Sequence, residues 1–94
     1  MGFIYILSSA NKKVLYIGVT SNLAKRIWEH KNKIFEGFTS RYQVDRLVYY
    51  ETYHSIEEAI VREKQLKKWS RSKKEWLITK MNVDWKDLAE EWGN

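Results

Sequence analysis

The chain opens with two short apolar runs separated by a polar break. Residues 3–8, from Phe3 to Ser8, and 14–19, from Val14 to Val19, are rich in β-branched and aromatic side chains. They flank Ser9-Ala10-Asn11-Lys12-Lys13, so the pattern predicts a β-hairpin. Both runs are apolar on both faces, which predicts a sheet covered at least partly on each side. Residues 46–53, from Arg46 to Tyr53, supply a third strand. Between the second and third strands, Thr20 or Ser21 caps a helix that runs to about Ile34 and ends near Gly37. Ser55-Ile56-Glu57-Glu58 is a capping box, which starts a second helix at Ile56 and carries it to about Trp69. Ser72-Lys73-Lys74-Glu75 repeats the pattern for a third helix ending near Met81, and Asp84 is placed to cap a short final helix through Trp92. The predicted order is ββαβαα plus a short C-terminal helix, an α+β fold built on a small three-stranded sheet flanked by helices.

Composition narrows the chemistry. A chain of 94 residues, 44% hydrophobic and 15% aromatic, supports one core and is expected to form a single domain over residues 1–94. Cys is absent, which excludes a disulfide framework, a thiolate zinc site and a cysteine nucleophile. The apolar run at the N-terminus lacks preceding basic residues and is too short for a signal sequence. No stretch approaches the ~20 apolar residues of a membrane span, so a soluble, cytoplasmic protein is expected. Charge is uneven. Residues 62–74 hold seven cations (Arg62, Lys64, Lys67, Lys68, Arg71, Lys73, Lys74) and one anion, so of the net +5 this block carries +6 and the remainder −1. The block points to an anionic partner. Its only apolar residues are Leu66 and Trp69, too few for a membrane-insertion face, so nucleic acid is the leading partner.

Several polar residues fall on faces that should be apolar. Helical spacing puts Leu23, Ile27 and Ile34 in one sector, with His30 inside it and Arg26 at its border. A lone inward His is ordinarily a satisfied core residue, but an Arg beside it either snorkels past the edge of the core or needs an anionic partner, because it cannot shed its charge. In the next helix Ile56, Ala59 and Ile60 define the apolar sector, Leu66 lies at its edge, and Glu63 sits at its centre. A carboxylate there must be paired, protonated or bound to a metal, and Lys67 one turn later offers the ion-pair alternative. By period two, Tyr16 and Gly18 share a face of the second strand, as Phe3, Tyr5 and Leu7 do on the first. A Gly within a strand admits close approach of a backbone or ligand. Two Tyr, Gly, Arg, His and Glu, with no Cys, cannot build a zinc protease or a serine triad. The set suits phosphodiester chemistry. One Glu holds a Mg²⁺ that keeps waters and phosphate oxygens as its other ligands, a phenol takes a proton from water, and a guanidinium neutralises developing charge.

These residues carry a resemblance. Phe3-Ile4-Tyr5, followed by Tyr16-Ile17-Gly18, resembles the paired motif of the GIY-YIG nuclease superfamily. Arg26 and His30 on the following helix, and Glu63 on the next, match its spacing. The stretch from Ala59 to Trp69 and the later Met81 to Leu88 resemble its small standalone bacterial members. The likeness spans nearly the whole chain, although the first motif opens with Phe3 in place of Gly.

The resemblance implies a small central antiparallel sheet flanked by helices. It also implies divalent-metal-dependent cleavage of DNA, as in excision-repair nucleases, homing endonucleases and some restriction enzymes. By the same resemblance, Tyr5 and Tyr16 line the site, with Tyr16 favoured as general base and Tyr5 the alternative. His30 hydrogen-bonds to Tyr5, Arg26 contacts the scissile phosphate, and Glu63 binds Mg²⁺ or Mn²⁺. Gly18 and the cations Arg62, Lys64, Lys67, Lys68, Arg71, Lys73 and Lys74 are candidate substrate contacts. Asn82 is the candidate for the family's late polar residue, with Lys73 an alternative phosphate contact. The domain leaves no room for a separate recognition module. Low sequence specificity, or a protein partner that supplies it, is therefore expected. The substrate is DNA, with single-stranded or branched forms and RNA open. A second reading is a nucleic-acid-binding module without turnover. A third is a protein-interaction domain using the acidic, Trp-containing residues 82–94.

Overall fold

The hairpin forms because Ser9, Asn11 and Lys12 satisfy a tight turn. Val14 N–H donates to Ser9 Oγ, Lys13 N–H donates to Asn11 Oδ1, and Lys12 takes a positive φ of 65°. In the computed structural model, which describes residues 1–34 and 37–92, the elements are β1 (Gly2–Ser9), β2 (Leu15–Thr20), α1 (Leu23–Lys31), α2 (Phe38–Arg41), β3 (Val44–Tyr53), α3 (Ile56–Lys67) and α4 (Arg71–Met81). The sheet is antiparallel with order β2-β1-β3. Tyr5, at the middle of the central strand, lies between Gly18 of β2 and Tyr50 of β3.

Both faces of the sheet are covered, as the doubly apolar strands predict. Ile4, Ile6, Ile17 and Val48 pack against Ala59 and Leu66 of α3 and against Leu77 and Ile78 of α4. On the other face Tyr5, Leu7, Val44 and Leu47 pack against Leu23 and Ile27 of α1 and against Ala89. The hydrophobic effect thus holds one small sheet between two helical layers.

The capping box at α3 forms as expected, with Ser55 Oγ accepting from Glu58 N–H at 3.2 Å. Other boundaries differ for identifiable reasons. Asn22, not Thr20 or Ser21, caps α1 by accepting from Lys25 N–H, while Thr20 Oγ1 accepts from Asn22 N–H in a local turn. The helix ends at Lys31 because Lys33 adopts φ 54°. Lys33 N–H and Ile34 N–H then close onto His30 O and Glu29 O, a Schellman arrangement that leaves Ile34 exposed and outside the apolar sector. Ser70, two residues before the expected Ser72, caps α4 by accepting from Lys73 N–H. The short α2 was not expected.

The final helix expected after Asp84 is absent. Trp85 takes φ 54°, and the carboxylate of Asp87 accepts from Ala89 N–H and from Leu47 N–H of β3. Only single turns follow, from Glu90 N–H to Asp87 O and from Trp92 N–H to Ala89 O. The segment instead straps the outer side of β3, where Leu88 N–H donates to Leu47 O at 2.7 Å. Lys31 of α1 pairs with Asp87 and donates to Asp45 O. Residues 82–92 are therefore part of the core's cover rather than a detachable partner-binding tail. No helix is long and apolar enough to cross a membrane among the described residues.

Candidate active site

The site is assembled where Tyr5 leaves the central strand. Its ring lies over Gly18, so a Cβ at residue 18 would overlap Tyr5 Oη and Cζ and stand 2.9 Å from Cε1. The space left by the missing side chain is taken by the phenol. Gly18 therefore makes room for Tyr5. The ring continues to α1, and Tyr5 Oη lies 3.0 Å from His30 Nε2. Tyr16 completes a triangle of rings, with centroids 6.3 Å from Tyr5 and 5.8 Å from His30. On the far side of the imidazole, His30 Nδ1 lies 3.2 Å from Thr39 Oγ1 of α2.

Burial separates the two phenols. Tyr5 is fully buried, and its pKa is pushed up to about 12 by burial first and by Tyr16 next. A hydrogen bond from Arg26 and the charge of that guanidinium oppose the rise, and the charge of Glu63 adds to it. Tyr5 is thus a protonated phenol at neutral pH. His30 is held below its ordinary value, chiefly by burial and then by Arg26, with Glu29 opposing. The ring is neutral at neutral pH. Tyr16 is only half-buried, so it is the more accessible phenol. Arg26 is half-buried too and pairs with Glu29 at 3.3 Å. Beside it opens a polar cleft of about 400 Å³ lined by Thr20, Ser21, Asn22, Lys25, Arg26 and Glu29.

A model of the GIY-YIG catalytic domain matches residues 1–76. The chain belongs to the GIY-YIG family. It is similar to the UPF0213 protein of Clostridium perfringens, at 34% identity over 91 residues, with 97% of each chain covered. The UPF0213 protein of Natronomonas pharaonis is 36% identical over 76 residues, covering 81% of this chain and 88% of that one. The solution NMR structure of a UPF0213 protein from Bacillus halodurans matches with a TM-score of 0.58 and 28% identity, covering 98% of this chain and 99% of the other. This places the chain in a small standalone GIY-YIG group with the three-stranded antiparallel α+β architecture described above.

GIY-YIG nucleases generally use a divalent metal. Here the carboxylate to test is Glu63. It projects from α3, on the opposite side of the sheet from α1, yet its charge reaches the Tyr5 phenol. Its side chain is 14% exposed and pairs with Lys67 at 3.2 Å, so the i,i+4 ion pair considered from sequence is present. Lys67 is 54% exposed, so it is a displaceable counter-ion. Among the described residues no group of three or more His, Asp or Glu converges to hold a metal. A lone carboxylate fits Mg²⁺, which dehydrates reluctantly and takes water and phosphate oxygens as its remaining ligands. The donor set fits a magnesium-type ion.

The basic block divides. Arg62 donates to Glu51 at 2.9 and 3.1 Å and to Gln65, while stacking on Trp69 at 5.1 Å. Arg71 is held by Glu75 and by the carbonyls of Lys12 and Lys13. These two arginines fasten α3 to β3 and α4 to the hairpin. Lys73 lies 4.3 Å over the Trp69 ring. Lys64 and Lys68 are exposed and Lys74 is half-buried, which leaves these lysines to face an anion. Asn82 belongs to the turn after α4. It is buried, its amide donates to Val48 O and Lys86 O, and its Oδ1 accepts from Lys86 N–H, so its polar atoms serve the turn after α4.

Two residues escaped the sequence reading, Thr39 at the site and Glu51 in the contact between β3 and α3. Thr39 gave no signal. Glu51 did: period two puts Tyr49, Glu51 and Tyr53 on one face of β3. Both phenols donate to its carboxylate beside Arg62. Burial pushes the Glu51 carboxyl up, but the hydrogen bonds from Arg62, Tyr49 and Tyr53 outweigh it and leave the group below its ordinary value.

Proposed function

We propose that this chain is an endonuclease that hydrolyses phosphodiester bonds in DNA with Mg²⁺ or Mn²⁺ and little sequence specificity. The observation that carries the proposal is the convergence of Tyr5, Tyr16, His30 and Arg26 at one point, with the charge of Glu63 in reach of the Tyr5 phenol. Tyr16, the accessible phenol, acts as its phenolate: it takes one proton from the attacking water as the water oxygen bonds to phosphorus, the P–O bond to the leaving sugar oxygen breaks, and that oxygen takes a proton from solvent. Tyr5 keeps its own proton and donates it as a hydrogen bond within the site. Arg26 neutralises the charge that develops on the phosphoryl oxygens as the phosphorus becomes five-coordinate. Lys64, Lys68, Lys73 and Lys74 hold the flanking phosphates, contacts that carry little sequence information. When bound at Glu63, the divalent cation would supply charge stabilisation to a phosphate oxygen.

Purified protein with single-stranded, nicked, branched and duplex DNA, and with RNA, plus Mg²⁺ or Mn²⁺, tests this. Metal-dependent cleavage that disappears in Tyr16→Phe, with nucleic-acid binding retained, is the expected result. No cleavage of any substrate would refute the nuclease reading. The ion pair between Glu63 and Lys67 favours a second reading, a nucleic-acid-binding module without turnover. That reading requires salt-dependent binding insensitive to chelator and to Glu63→Ala.

A further inference from the structure

Tyr5 is fully buried, so water does not reach its hydroxyl, and the phenol proton needs a protein acceptor. Arg26, whose guanidinium acts on the Tyr5 phenol, can only donate. The acceptor that the geometry supplies is His30 Nε2, 3.0 Å away. A neutral imidazole that accepts through Nε2 carries its own proton on Nδ1. That nitrogen lies 3.2 Å from Thr39 Oγ1. The hydrogen bonds then run in one direction, from the Tyr5 hydroxyl to Nε2 and from Nδ1–H to Thr39.

We infer that Thr39 is a positioning residue for this site, whose hydroxyl accepts the Nδ1 proton and locks His30 in the tautomer that receives the Tyr5 proton. The latch joins β1, α1 and α2. It commits the Tyr5 proton to the imidazole. If Thr39 were absent or apolar, the imidazole could rotate or change tautomer, and Nε2–H would compete with Arg26 for the phenol oxygen. The effect on turnover rests on the proposed nuclease reading; the tautomer assignment does not.

The test is two-bond ¹H–¹⁵N spectroscopy of the ¹⁵N-labelled protein without nucleic acid, near neutral pH, on wild type, Thr39→Val and Thr39→Ser. The wild type is expected to show His30 protonated at Nδ1 with Nε2 bare. Thr39→Val, which keeps the shape and removes the hydroxyl, should shift the ring toward the other tautomer, and Thr39→Ser should restore it. On whichever DNA of the panel above the wild type cleaves, Thr39→Val should lower kcat about fivefold to tenfold and leave KM within about twofold, the equivalent of one net hydrogen bond felt in the transition state. A wild-type ring protonated at Nε2, or a Thr39→Val ring unchanged from wild type, would overturn the assignment. Should Thr39→Val fail to fold, Thr39→Ser decides: loss of the Nδ1–H form there overturns it. Absence of cleavage would count against the nuclease reading alone, because the spectra need no substrate.

Discussion

Replacing Gly18 with Ala adds one methyl group at the point where the structure has least room for it. The new Cβ would overlap Tyr5 Oη and Cζ and stand 2.9 Å from Cε1, closer than carbon atoms approach without displacement. The Tyr5 ring cannot yield cheaply, because it is fully buried, bonded to His30 and flanked on β3 by Tyr50. Overpacking of this kind costs about 1–3 kcal/mol. Ala recovers about 0.5–1 kcal/mol through the smaller conformational entropy of the unfolded chain. The net loss is about 1–2 kcal/mol, and at ~4–8 °C per kcal/mol the melting temperature falls by about 5–15 °C. Thermal melting by circular dichroism measures it. The clash is specific to one partner, so Tyr5→Leu should remove most of the penalty of Gly18→Ala in the double variant. A Gly18→Ala protein as stable as wild type, or the same loss in the Tyr5→Leu background, would refute the reasoning.

Two further predictions follow from the charges of the site. The partner of Glu63 is more than half exposed, so Glu63→Gln should change stability by only ~0.2–1 kcal/mol while lowering metal-dependent turnover about 10²–10³-fold; melting and cleavage with and without Mg²⁺ decide it, and a destabilised variant that still cleaves would return Glu63 to the fold. Because His30 is held below its ordinary value, the unfolded chain binds that proton at higher pH than the folded chain. Its contribution to stability is therefore complete above the unfolded value of ~6.5 and is lost as the pH falls toward the lowered folded value. Melting temperatures followed from neutral to mildly acidic pH should fall more steeply for wild type than for His30→Gln, and parallel curves would contradict the shift.

The relation between the two tyrosine strands and the helices was legible in the sequence because it rests on local rules. Period two placed Phe3, Tyr5 and Leu7 on one face, and Tyr16 and Gly18 on one face of the neighbouring strand. Capping chemistry placed the start of α3. Runs apolar on both faces announced a sheet covered on both sides. Helical spacing put His30 and Glu63 among apolar residues, where a titratable group needs a reason to be. What lay beyond the sequence depended on contacts between residues far apart in the chain. Whether Gly18 faces a ligand or a ring depends on the register of β1 against β2, which sets Tyr5 opposite it. Arg62 and Arg71 looked like part of a phosphate-binding block because charge can be counted locally. Their partners, Glu51 and the carbonyls of Lys12 and Lys13, are brought to them only by the fold. Asn82 is polar in any reading, but only the fold gives it three hydrogen bonds to the backbone. Thr39 acquires a role only because α2 sets its hydroxyl against the imidazole of His30. Side-chain periodicity is a property of the backbone and travels with the sequence, whereas the partner of a buried charge or hydroxyl is chosen by packing.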